Sequence, residues 1–181
     1  MKNYKKIWKL MAACCIFPLM FSGCSTSVEA YKNSKPAFSL EKFFNGKLIA
    51  HGLFKDRFNK VKKTFVVTMD ASWKDNTCTL NEDFVYNDGS KFKRVWTLQK
   101  IKENEYLGFA SDVHGRAVGK IAGNTLFWNY TLVLPEENNH LHVQFEDWMY
   151  LIDEDTLLNH SYMSKFFITL GEVILSIRKI K

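Results

Sequence analysis

Glu82, Arg94, Asp112 and Asp147 are charged side chains set into runs that are otherwise apolar on one face. Cys78, Leu80, Glu82, Phe84 and Tyr86 alternate along one predicted strand, and Phe92, Arg94, Trp96 and Leu98 along the next. Asn87-Asp88-Gly89 between them suits a three-residue loop, a type I turn closed by a left-handed glycine. That register pairs Tyr86 with Ser90, Phe84 with Phe92, and Glu82 with Arg94. A carboxylate then faces a guanidinium on an inward surface. Removing one partner of such a pair strands a buried charge at about 3–5 kcal/mol. The pair reads either as a structural pin for the register or as a clamp for the acidic head of a ligand. Glu82, Asp112 and Asp147, with Arg94 as oxyanion partner, are also the residues an enzyme would use, because an apolar lumen raises carboxylate pKa values toward general acid–base work. Asp112 sits at a turn, where a carboxylate more often caps backbone N–H groups. Asp147 could pair with Arg94 or Lys165.

Other chemistries find no footing. The chain has no G-x-S-x-G elbow, H-E-x-x-H, G-K-[ST] loop or G-x-G-x-x-G. Gly115–Gly119 is glycine-rich but lies on a predicted strand and opens no helix, so it makes no phosphate cradle. His140 and His142 point to one face of a strand, yet that face is outward and lacks a third ligand, so no metal site and no cofactor is expected.

These side chains need a sheet to position them. Tyr106–Asp112, Gly115–Ala122 and Thr125–Leu134 read as a three-stranded meander with two-residue turns Val113-His114 and Gly123-Asn124. The expected facing pairs are Ala110 with Ala117, Gly108 with Gly119 and Tyr106 with Ile121. Across the second turn they are Ile121 with Leu126, Gly119 with Trp128 and Ala117 with Tyr130. One face then carries Gly108, Ala110, Ala117 and Gly119 as a floor without side chains, bordered by Trp128 and Tyr130. Such a floor is either filled from the opposite wall or encloses a cavity.

Around the meander the pattern is β almost throughout. Phe65, Val67, Met69, Ala71 and Trp73 alternate with Thr64, Val66, Thr68, Asp70, Ser72 and Lys74. A polar outer face is the reverse of a membrane-spanning barrel, so a water-soluble barrel is expected. Leu141, Val143, Phe145, Asp147, Met149 and Leu151 form another inward set, and Leu157, Asn159, Ser161 and Met163 the next. The tail fits a helical face or a strand. Gly171 and the β-branched residues favour a strand ending at Lys179. Ser39 can cap a short helical turn, placing Phe43 and Phe44 at an open barrel end. No internal repeat is present.

The N-terminus is an address. Lys2, Lys5, Lys6 and Lys9 precede an apolar stretch, Leu10–Phe21, too short to span a bilayer. Phe21-Ser22-Gly23-Cys24 resembles a lipobox with phenylalanine where leucine is usual, so cleavage after residue 23 and acylation of Cys24 are expected. Ser25, rather than aspartate, favours the outer membrane facing the periplasm. Loss of residues 1–23 takes four lysines and no acid, lowering the net charge from +6 to +2. The basic balance therefore belongs mostly to the leader, which argues against nucleic acid as a partner. Cys14 and Cys15 leave with it, so Cys78 has no cysteine left to pair with. Residues 24–37 read as a flexible tether and 38–181 as one domain. Lys60, Lys62 and Lys63, with Arg178, Lys179 and Lys181, form solvated faces that could lean on anionic lipid.

One resemblance spans nearly all of residues 31–181. Phe43-Phe44-Asn45-Gly46, Trp73, Leu80-Asn81-Glu82-Asp83-Phe84, Arg94-Val95-Trp96, Asp112-Val113-His114-Gly115, Trp128-Asn129-Tyr130, Asp147-Trp148-Met149-Tyr150 and Leu158-Asn159 are similar to the bacterial lipoprotein family catalogued as domain of unknown function 3833. The resemblance implies an envelope lipoprotein with a lipocalin-like barrel and no assigned activity. The expected fold is all-β, a lipocalin-like (calycin-type) antiparallel up-and-down barrel of eight to ten strands with a short N-terminal helical turn. The expected function is to bind or carry a lipid or other small apolar or fatty-acyl ligand. Arg94, Glu82, Gly108, Ala110, Gly119, Trp128, Tyr130, Asp147 and Asn159 are the expected contacts, with membrane attachment through acylated Cys24. The alternatives are a small enzyme working on lipids through the inward carboxylates, and a filled barrel that scaffolds other envelope proteins.

Overall fold

The structure, a computed structural model, describes residues 26–135 and 140–181. The leader, the lipobox and Cys24 lie outside the described residues. Ten strands follow in order: β1 (Gly46–Asp56), β2 (Val61–Lys74), β3 (Thr77–Tyr86), β4 (Lys91–Lys102), β5 (Glu105–Phe109), β6 (Ala117–Ala122), β7 (Thr125–Pro135), β8 (His140–Leu151), β9 (Thr156–Lys165) and β10 (Ile168–Lys179). Each pairs antiparallel with its sequence neighbours, and β10 pairs with β1, so the meander closes into a barrel without free edges. The tail is the strand expected.

Alternation sets the inside. Along β2 Phe65, Val67, Met69 and Ala71 are buried while Val66, Thr68, Asp70 and Ser72 are exposed. Opposite Glu82 lies Arg94, and opposite Phe84 lies Phe92, as the turn chemistry required. The turn itself closes with Tyr86 N–H donating to Ser90 O at 2.9 Å, and Gly89 has φ +82°.

The meander departs from expectation at its first turn. Gly108 faces Ala117 and Tyr106 faces Gly119, a slip of two residues. An even slip preserves parity, so the small residues still look inward. The cause is β7, whose upper half extends past the end of β6. The connection 110–116 supplies the missing partner: Val113 bridges Leu132, His114 N–H donates to Thr131 O at 2.9 Å, and Val133 N–H donates to Asp112 O at 2.8 Å. The second turn is as read, with Ile121 facing Leu126 and Gly119 facing Trp128.

The expected tether is folded from residue 28 onward. Val28–Tyr31 forms a 3-10 turn capped by Ser27, with Val28 buried. Tyr31 packs tilted against Trp148 and edge-on against Tyr150, and Phe38 N–H donates to Gly123 O at 2.8 Å. These aromatic contacts outweigh the freedom that a polar linker would keep. The turn α1 (Leu40–Phe43), capped by Ser39, then closes one barrel end with Leu40, Phe43 and Phe44, all buried. Trp73 Nε1 fastens it by donating to Phe44 O at 2.8 Å. The opposite end carries the β1–β2, β3–β4, β5–β6, β7–β8 and β9–β10 connections, because alternate turns of a meander fall at the same end.

Candidate functional site: a lumen with a charged band

A cavity of about 730 Å³ lies in the barrel between α1 and the opposite end, which no helix closes among the described residues. That volume lies in the range of small-molecule sites. Its deep wall includes Leu40, Phe44, Leu98, Met149 and Ile177, and its outer wall Phe54, Phe65, Tyr86, Leu134, Met163 and Val173, with Lys62 and Lys63 at the rim. Between these apolar zones runs a polar band contributed by four strands and one loop.

Arg94 on β4 is its centre. Its Nη2 lies 2.7 Å from Asp112 Oδ2, its Nε donates to the same oxygen at 3.0 Å, and its Nη1 is 3.8 Å from Glu82 Oε2. Phe84, Phe92 and Trp96 surround the guanidinium at 5.5–5.9 Å from ring centre to Cζ. Asp112 therefore reaches into the barrel and pairs with Arg94. Its carboxylate does not cap the turn, because the turn's backbone is already bonded to β7. Asp147 on β8 pairs with neither Arg94 nor Lys165. It accepts hydrogen bonds from Asn159 Nδ2 and from Ser161 Oγ, the latter at 2.8 Å, both on β9. Strand register decides this, since Ser161 lies directly opposite Asp147 and Asn159 is two residues along on the same face.

Burial sets the ionisation. Desolvation pushes Glu82 up to about 7, against the pull of Arg94 and with the help of Asp112. Desolvation also raises Asp147, opposed by the hydrogen bonds from Asn159 and Ser161. For Arg94, burial acts against the charge, but Glu82 and Asp112 outweigh it and the guanidinium stays cationic. Two buried acceptors, Glu82 Oε2 and Asp112 Oδ1, have no hydrogen-bond partner among the described residues. Glu82 lines the cavity and Asp112 does not, so of the two it is Glu82 Oε2 that can meet a ligand donor.

Of the residues expected to touch a ligand, Arg94, Glu82, Trp128, Tyr130, Asp147 and Asn159 line the cavity. Gly108, Ala110 and Gly119 do not. The floor exists but is filled: a Cβ on Gly119 would sit 2.6 Å from ring atoms of Trp128, and one on Gly108 would sit 3.2 Å from Trp96. The two indoles lie down on the small residues, and the hollow begins above them. Ser161 and Met163 were legible as inward, Ser161 not as the partner of Asp147, and Phe54 and Val173 were missed as outer wall. The parity of β1 and β10 was the signal that could have placed them. His142 lies on the outer surface against His114, ring centres 4.9 Å apart, and no group of three metal-ligating side chains occurs among the described residues. Cys78 is buried, and desolvation raises its thiol to about 11.

No curated protein matches the chain. Among solved structures it is similar to an S-type phycobiliprotein lyase, CPES from Guillardia theta, with a TM-score of 0.59 at 10% identity over 80% of this chain and 94% of that one. At that identity the likeness speaks to the fold, a lipocalin-like barrel. A family model matches residues 18–179, and the chain accordingly belongs to the family described as protein of unknown function, DUF3833.

Proposed function

We propose that this protein is an envelope lipoprotein, held by acylated Cys24, that carries a ligand with a fatty-acyl chain in its lumen. The observation that carries the reading is the cavity itself: about 730 Å³, apolar above and below a charged band, and closed at one end by Leu40, Phe43 and Phe44. An acyl chain suits the Leu40, Phe44, Met149 and Ile177 zone. The head chemistry is revised from the acidic group first expected. Arg94 is already engaged by Asp112, whereas Glu82 Oε2 on the cavity wall, 3.8 Å from Arg94 Nη1, accepts no hydrogen bond among the described residues. A head that donates a hydrogen bond, such as a hydroxyl or amide N–H, satisfies it and avoids setting one carboxylate against two others.

The test is extraction of the natively purified protein into organic solvent, followed by mass spectrometry. An acyl-chain compound at near one per barrel supports the reading; an empty extract across lipid classes refutes it. Val173→Trp provides the control. Val173 lines the cavity's outer wall, so an indole there should fill the lumen and remove the compound while the barrel remains folded.

One observation favours a second reading, a lipid-modifying enzyme. Glu82, near 7 in a cavity, is poised to give or take a proton at neutral pH. That reading requires turnover that Glu82→Gln abolishes without weakening ligand affinity.

A further inference from the structure

The β9–β10 connection is a two-residue turn whose central residues are both phenylalanines. Lys165 pairs with Ile168, and between them Phe166 has φ +50° and Phe167 φ +65°. Two consecutive left-handed residues define the type I′ geometry, for which Asn-Gly is the usual choice. Bulky side chains are costly there. Ordinarily burial would offset such a cost, but Phe166 is 82% exposed and Phe167 fully exposed, and Ile168 beside them is 54% exposed.

The neighbouring β1–β2 tip repeats the pattern with Phe58, 75% exposed. The two tips are tied together, Arg57 N–H donating to Leu170 O at 3.0 Å. Around the aromatics stand Arg57, Lys60, Lys62 and Lys165, with Arg57 over the Phe58 ring at 4.8 Å and Lys165 over the Phe166 ring at 5.5 Å. The nearby acids are engaged. Asp56 accepts from Phe58 N–H and Lys60 N–H, Glu172 pairs with Lys55, and Asp88 with Lys63. Glu136 and Glu137 belong to the β7–β8 connection, outside the described residues.

We propose that the Phe58 and Phe166-Phe167 tips dock the barrel mouth onto an anionic lipid bilayer, with the aromatics entering the interface and the basic residues meeting the headgroups. Aromatic side chains over cationic ones match that interface in both chemistry and charge. The contact stands on the rim alone; its purpose, to let a ligand pass between bilayer and lumen, rests on the carrier reading.

The experiment uses the full chain carrying Phe167→Trp, with the unsubstituted chain as background. It is mixed with phosphatidylcholine vesicles containing phosphatidylglycerol and brominated high on the acyl chains. The added indole should lose most of its emission to the bromines, and high salt or vesicles of phosphatidylcholine alone should restore it. Emission unchanged by brominated lipid overturns the proposal, and leaves the tips to a protein partner. The variant Phe166→Asn/Phe167→Gly suits the turn better, so it should melt higher than the parent while transferring a fluorescent acyl probe between vesicles several-fold more slowly. Transfer at the parental rate also overturns the proposal. Probe affinity measured without vesicles should be the same in both chains. If neither chain takes up the probe, the carrier reading fails while the quenching still decides the rim contact.

Discussion

Arg94 donates to Asp112 Oδ2 from Nε and holds Nη2 2.7 Å from the same oxygen, so one guanidinium edge fastens the 110–116 connection to β4. The same connection carries Val113, which completes β7 by bridging Leu132. The ion pair and the strand addition therefore hold one loop from two sides. Arg94→Met should cost about 3–5 kcal/mol, because it leaves two carboxylates facing each other without a cation. Adding Glu82→Gln and Asp112→Asn to that variant should recover most of the loss. Urea unfolding of the single and triple variants measures both. A loss below about 1 kcal/mol for Arg94→Met, the worth of an exposed pair, would falsify the fastening role.

Glu82 gives the band a pH signature. Its carboxyl is raised from 4.5 to about 7 in the folded protein, with burial the main cause. Between those values the folded state holds the proton longer than the unfolded chain does. Stability must then fall as pH rises through that window, with little contribution from this group at lower pH. A shift of that size corresponds to on the order of 3 kcal/mol once pH passes the folded value. Glu82→Gln removes this titration. The difference in unfolding free energy between Glu82→Gln and the parent should therefore climb in favour of the variant from pH 4.5 to 8. A difference that stays flat over that range would show that Glu82 titrates as an exposed carboxylate.

The parts of this architecture legible in the sequence are those governed by period-two alternation and by short turns. Asn87-Asp88-Gly89 fixed Glu82 against Arg94, and Gly123-Asn124 fixed Gly119 against Trp128, because a short loop leaves few registers to choose from. Val113-His114 misled for a tertiary reason. The backbone of that connection bonds to β7 and not across itself, and nothing local records how far β7 outruns β6. Asp147 shows the same limit: its inward direction follows from parity, but its choice of Asn159 and Ser161 over Arg94 depends on which strand closes beside β8. The Phe166-Phe167 turn was hidden by composition, since two aromatics before Ile168 read as strand or helix core and not as an exposed tip.

Gly119 and Trp128 decide how the bare floor should be understood. A cavity directly over Gly119 would accept an added methyl group without penalty. With the indole lying on it, a Cβ meets Cε3 and Cζ3 at 2.6 Å, well inside van der Waals contact. Gly119→Ala should accordingly destabilise the barrel by about 1–3 kcal/mol, the usual cost of overpacking. Trp128→Phe alone also destabilises, because it empties space that the indole occupied. In the double variant the new methyl enters that vacated space, so the two losses should not add, and the coupling should be on the order of 1 kcal/mol. Chemical denaturation of the four chains measures the cycle. Additive losses would mean that the indole has somewhere else to go, and that the hollow extends down to the glycine after all.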